Sequence, residues 1–236
     1  MSKILIILPT YNEAENLKHI ISQLRDLNLE IQILVVDDNS PDGTGQIADS
    51  LTSQDLFVLH RAKKDGLGPA YLEGFTWALD RGYDFIVEMD ADGSHLPAEL
   101  ESLLKAANAT DLVIGTRWMP GGKVANWPWY RMAISRFGTS YAAMVLRLPY
   151  KDLTSGYRVL SKQLVRKVLE ANIQTHGYGF QVELVLLAHE SQMVIAQVPI
   201  TFLERSKGKS KMTGRIVVEA WLKTTILGVS RLLNRR

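Results

Sequence analysis

An α/β fold with a mainly parallel central sheet, helices on both faces and an elaborated C-terminal half is what this sequence predicts. Three observations lead there. Apolar runs of strand length alternate with amphipathic helical stretches through the first half. The runs are apolar at successive positions, as strands covered on both faces require. Polar and acidic clusters follow these runs, at the end where an open parallel sheet presents its ligand-binding edge.

The elements follow in order. Ile4–Leu8 is a first buried strand, ended by Pro9. Glu13–Leu27 carries apolar residues at 17, 20, 21, 24 and 27, one face of a helix. Ile31–Val36 is the second strand and Thr44–Leu51 a short helix. Leu56–Leu59, Phe85–Met89 and Leu112–Ile114 supply three further strands, separated by helices over Ala70–Leu79 and Pro97–Ala107. After Gly115 the rhythm changes. A loop is expected over Trp118–Tyr130, helices over Met132–Leu146, Val159–Leu169 and Gln181–Glu190, and a strand over Met193–Phe202. A basic loop, Arg205–Gly214, precedes a last helix, Arg215–Leu233. With no repeat and no long linker, residues 1–214 read as one domain and 215–236 as an amphipathic C-terminal extension.

Composition narrows the function classes. The 236 residues are 46% apolar and 22% charged, enough for a core and unlike a disordered chain. The absence of cysteine excludes disulfides, thiolate metal sites and a cysteine nucleophile, and suits a reducing compartment. No apolar run approaches the roughly 20 residues of a membrane span, and no signal peptide is expected. Charge is distributed unevenly: residues 1–114 hold 8 basic and 19 acidic side chains, the remainder 19 and 6. One half is thus suited to holding cations and the other to meeting anions.

The strand ends exclude two nucleotide-binding chemistries. Pro9-Thr10-Tyr11-Asn12-Glu13 stands where a dinucleotide fold needs G-x-G-x-x-G, and no P-loop occurs. Carboxylates stand there instead: Asp37-Asp38 after the second strand, Asp90-Ala91-Asp92-Gly93 after the fourth. Two aspartates one residue apart can offer oxygens to a hard divalent cation that shares its other positions with phosphate. In isolation the same letters also describe an Asp-Gly turn that caps a helix.

Taken together, Pro9–Glu13, Val35–Asp38 and Asp90–Asp92 resemble a family-2 glycosyltransferase of GT-A fold. Asn39-Ser40-Pro41-Asp42-Gly43-Thr44, Gly66–Tyr71, Gly115-Thr116-Arg117, Thr154–Arg158 and Arg205–Lys211 are similar to the polyprenol (dolichol) phosphate mannose synthases. Pro120–Pro128 resembles their actinobacterial branch. The resemblance implies a GDP-mannose donor, a polyprenyl monophosphate acceptor, and Mg²⁺ or Mn²⁺. Pro9, Tyr11, Glu13 and Val36 would line the nucleotide pocket, and Asp38 would face the base. Asp90 and Asp92, with Ala91 between them, would hold the metal against the diphosphate. Arg117, Arg131 and Ser135 would bind the acceptor phosphate, while Arg205 and Lys211 would close over the donor. Many relatives have Gln, a further metal ligand, where this chain has Ser94; the serine hydroxyl or a water can substitute.

Such an acceptor is already anionic near pH 7, so an inverting displacement needs positioning and an anion site rather than a general base. Transfer of another hexose to a polyprenyl phosphate is the first alternative; a non-catalytic membrane-bound partner built on a dead glycosyltransferase scaffold and a nucleotidyltransferase are the others. No nucleic-acid partner is expected. The apolar run Phe137–Leu146, the basic, apolar C-terminal helix and the Trp127-Pro128-Trp129 loop point to peripheral attachment at the cytoplasmic membrane face, directly or through a membrane-embedded partner protein. Asp152 reads as a base or a turn cap, His95 as a metal or phosphate contact or a plain loop residue. His19, His60, His176 and His189 form no metal-binding spacing. Trp118, Trp127 and Trp129 read equally as loop anchors or as an interfacial belt.

Overall fold

The computed structural model describes residues 2–171, 173, 178–205, 221, 222, 224–229 and 231. His176, Lys211 and most of the basic segment after Arg205 lie outside them. The first half builds a parallel array from β1 (Ile4–Thr10), β2 (Ile31–Asp37), β3 (Leu56–His60) and β4 (Phe85–Glu88). With β5 (Leu112–Thr116), β7 (Arg158–Ser161) and β8 (Ile195–Pro199) they form a seven-stranded sheet, ordered β3-β2-β1-β4-β7-β5-β8. A small second sheet pairs β6 (Lys123–Ala125) with β9 (Thr201–Leu203).

The continuous apolar run of β1 serves two cores at once. Leu5 and Ile7 pack with α3 (Leu67–Asp80), α6 (Lys162–Glu170) and α7 (Tyr178–Glu190). Ile6 and Leu8 point the other way, to α1 (Leu17–Arg25), α2 (Thr44–Ser50) and α4 (Leu100–Ala107). All four side chains are fully buried, each contributing roughly 1.5–3 kcal/mol by removal from water. An alternating strand would have left one layer without a partner.

Several boundaries differ from expectation, for local reasons. Helix α1 begins at Leu17 rather than Glu13, because the Glu13 N–H is donated to Thr44 Oγ1 and its carbonyl closes a turn with Asn16 and Leu17. The stretch read as a helix from Val159 is strand β7 up to Ser161. It runs antiparallel between β4 and β5, and α6 starts only after Ser161, whose Oγ accepts from Leu164 N at 3.2 Å. The single strand expected over Met193–Phe202 divides around Ile200 into β8 and β9, which belong to different sheets. The loop expected over Trp118–Tyr130 contains β6, and α5 (Trp129–Leu146) starts directly after Pro128. Residues 221, 222, 224–229 and 231 are helical.

The insertion of β7 brings backbone against backbone at Gly115, where an added Cβ would stand 2.9 Å from Tyr157 O. Gly115→Ala should therefore lower stability by about 1–3 kcal/mol. Gly74→Ala, which meets only the Ile7 side chain and gains helix propensity, should cost less. Urea unfolding midpoints compare the two.

Candidate active site

The carboxyl ends of β1, β2 and β4 open into a cavity of about 340 Å³. Its wall combines Pro9, Tyr11, Glu13 and Asp38 at one end, Asp90, Ala91, Asp92 and Arg205 centrally, and Arg117, Arg131 and Ser135 beyond. Val36 and Ser94 do not line it: Val36 is buried in the core, and Ser94 lies fully buried beside Asp92.

The end formed by Pro9–Glu13 and Asp38 is a pair of loops stitched together. Ser40 Oγ accepts from Asn12 N at 3.1 Å and donates to Asp37 Oδ1 at 2.6 Å. Thr44 Oγ1 accepts from Glu13 N at 2.9 Å and donates to Asp42 Oδ1, whose other oxygen receives Ala14 N. Asn12 and Asn39 take left-handed φ values of 57° and 56°, a conformation asparagine tolerates better than most residues. The Asn39–Thr44 motif therefore shapes the Pro9–Glu13 loop. Burial raises the proton affinity of Asp38, while a short ion pair with Arg61 opposes that shift. Arg61 is itself held by Glu73 at 2.8 Å. The Lys64 ammonium lies 4.1 Å from the Tyr11 ring centre.

At the centre, Gly93 takes φ 78°, which turns the chain so that Ser94 N reaches Asp92 Oδ1 at 2.9 Å. Burial, and then the charge of Asp92, raise the proton affinity of Asp90. Arg205 Nε meets Asp92 Oδ2 at 2.5 Å. His95 is fully buried and stacks on Tyr157; its Nδ1 accepts the Asp90 backbone N–H at 3.0 Å, which leaves the ring proton on Nε2. Burial keeps this ring neutral, its pKa pushed down to about 4. His95 thus holds the backbone of the Asp90 turn. Among the described residues no three His, Cys, Asp or Glu side chains gather as a cation site. The aspartate pair nonetheless fits a hard divalent cation that takes its other positions from phosphate and water, and the buried Ser94 hydroxyl beside it has no hydrogen-bond partner.

At the far end, Asp152 is neither an open base nor a simple cap. It is fully buried and grips Arg117 through two bonds, Nε to Oδ2 at 2.7 Å and Nη2 to Oδ1 at 2.8 Å. Arg117 Nη2 also donates to Thr154 Oγ1. Arg131 pairs with Glu204 at 3.0 Å and lies 4.2 Å from the Trp127 ring centre. The tryptophans divide: Trp127 packs edge-on against Phe202, whereas Trp129 is 77% exposed. Beyond Arg131 the wall becomes apolar, with Ile134, Ala142 and Trp221. Arg61, Lys64, Gln181 and Trp221 are not singled out by the sequence as site residues, since no local motif marks them.

Comparison with known proteins agrees with this architecture. The family model described as glycosyl transferase family 2 matches residues 5–169. An undecaprenyl-phosphate mannosyltransferase of Micrococcus luteus is 49% identical over 97% of this chain and 95% of its own length. A polyprenol monophosphomannose synthase of Mycolicibacterium smegmatis is 46% identical over 98% and 89%. Among solved structures, the glucosyl-3-phosphoglycerate synthase of Mycobacterium tuberculosis superposes with a TM-score of 0.70 over 97% of this chain and 78% of its own. At 17% identity that likeness speaks for the fold alone. The chain belongs to glycosyltransferase family 2, within its polyprenyl-phosphate mannose synthase branch.

Proposed function

We propose that this enzyme transfers mannose from GDP-mannose to a polyprenyl monophosphate, with metal assistance and inversion at the anomeric carbon. The observation that carries this reading is one cavity with three chemistries in series. Asp38 and Tyr11 stand at one end, the Asp90–Asp92 pair with Arg205 in the middle, and the polar and cationic Arg117, Arg131 and Ser135 at the other end, whose wall turns apolar. The 46–49% identical relatives, named for mannosyl transfer to undecaprenyl phosphate and for polyprenol monophosphomannose synthesis, support the same substrates here.

The residues divide the work. Asp38, kept in place by Arg61, suits the amide-like donors of a guanine edge. Asp90 and Asp92, with Ser94 nearby, would hold Mg²⁺ or Mn²⁺; bound there, the ion supplies charge neutralisation for the departing diphosphate. Arg205 already reaches Asp92 and offers its guanidinium to the same diphosphate, as would Lys211. Arg117 and Arg131 are oriented in advance by Asp152 and Glu204, so little ordering is left for the moment the acceptor phosphate arrives. A phosphate monoester carries about −1.5 to −2 at pH 7 and attacks without losing a proton. The engagement of Asp152 with Arg117 suits a reaction that needs no base.

The acceptor's tail lies in a bilayer, yet no helix among the described residues is long and apolar enough to cross one. Phe137 and Met144 of α5, and Leu222, Ile226 and Val229 beside it, are exposed. Phe137 packs against Trp221, joining both helical segments in one apolar surface next to the acceptor end. We infer peripheral attachment at the cytoplasmic face through this surface and residues 215–236, with Arg136 and Arg147 meeting anionic headgroups.

Asp92→Ala should abolish turnover of GDP-mannose while the circular dichroism spectrum is kept, and excess chelator should silence the wild type. Full activity in either case removes the metal from the reading. Arg131→Ala should weaken use of the lipid phosphate by roughly 2–5 kcal/mol in kcat/KM and leave GDP affinity nearly unchanged. Sedimentation with anionic vesicles should be strong at low salt and lost at high salt. Failure to bind neutral and anionic vesicles alike would favour recruitment by a membrane-embedded protein.

A further inference from the structure

Gln181 stands in the first turn of α7, 1% exposed, and lines the cavity. Its carboxamide is buried beside the Glu88 carboxylate, which draws on it as a hydrogen-bond donor, yet neither Oε1 nor Nε2 closes a well-formed hydrogen bond. Native proteins leave few such groups, because a buried amide that has given up water for poorly formed hydrogen bonds is destabilising. Its location is not accidental. Arg158, fully buried on β7, donates from Nη1 to Gln181 O at 2.9 Å and from Nη2 to Leu153 O at 2.8 Å. Arg158 also sits opposite Glu88 in the β4–β7 ladder, two residues before Asp90. The start of α7 is thereby registered to the strand that carries the aspartate pair.

The surroundings say what the amide would meet. Gly156 also lines the cavity, and a Cβ there would come within 3.7 Å of Asp90 Oδ1, so its lack of a side chain keeps space open beside that carboxylate. The hydroxyl of Thr154 is occupied by Arg117 and Asp152. On the same wall, Gln181 is a nearly fully buried neutral side chain able to both donate and accept. An anion is better served by the arginines, and an isoprenoid chain by the apolar wall. A polyhydroxylated ring, each hydroxyl a donor and an acceptor, matches a carboxamide.

We propose that Gln181 is a specificity-determining residue that reads hydroxyl groups of the transferred sugar, an inference that rests on the glycosyl-transfer reading above. The amide, drawn on by Glu88 but closing no well-formed bond, completes its hydrogen bonding when the correct donor is bound, and a donor with a missing or inverted hydroxyl leaves it incomplete.

The test compares wild type, Gln181→Leu and Gln181→Asn on GDP-mannose, GDP-glucose and the single-deoxy analogues of GDP-mannose, with a short polyprenyl phosphate as acceptor. Wild type should prefer GDP-mannose over at least one analogue by about 100-fold in kcat/KM. Gln181→Leu should shrink that ratio by about 10-fold or more and keep GDP affinity within about 2-fold. Gln181→Asn, with its amide withdrawn by one methylene, should also lose discrimination. Unchanged ratios in both variants, or a lower melting temperature with an equal loss for every donor, would overturn the inference and leave the overall reading standing. No turnover of any nucleotide sugar by the wild type would overturn that reading, and this inference with it.

Discussion

Buried carboxylates that require arginine partners govern this molecule. The ends of the central strands carry acids into a poorly solvated cleft, where an unpaired charge is costly. Asp38 is met by Arg61, Asp92 by Arg205, Asp152 by Arg117, and Glu88 faces Arg158 across the ladder. Three of these four arginines come from the basic second half. The uneven charge along the chain is therefore a folding constraint as well as a substrate-binding one: the second half must fold over the first for its acids to be tolerated.

The same pairing organises the cleft. A guanidinium held at two points by a carboxylate has little freedom left, so Arg117 presents a fixed face to whatever anion enters. Burial raises the proton affinity of Glu88 as well as Asp90, with Arg158 opposing the effect at Glu88 and Arg205 at Asp90. Charge is concentrated where the diphosphate is proposed to break away, and neutral hydrogen bonding where the sugar would sit.

Much of this was legible from local letters. The two-sided apolar runs of β1 and β2, the Pro9–Glu13 loop and the Asp90–Asp92 pair each fit within a few consecutive residues. Their strand-end position follows from the α/β alternation. What escaped was either long-range or ambiguous in period. Asp152 and Arg117 are 35 positions apart, and nothing near either predicts a bidentate pair. Gln181 stands out only once its burial is known. Strand β7 is four residues long and runs directly into α6, so the apolar positions of Val159 and Leu160 merge with the helical stripe that follows. The three nearby tryptophans share a composition signal but not an environment.

The antiparallel strand β7 also sets the order in which the fold can be completed. It lies in the middle of the sheet, yet about two-thirds of the chain must be available before it can be laid in. Until then β4 and β5 each present an open edge with apolar faces, the kind of surface that recruits stray strands. Closing the sheet needs contacts between residues 85–88, 112–114 and 158–161, a high-separation event that slows folding and makes it cooperative. A nascent chain that stalls before Arg158 would be a half-sheet with its seam unsewn, and so a natural client for a chaperone.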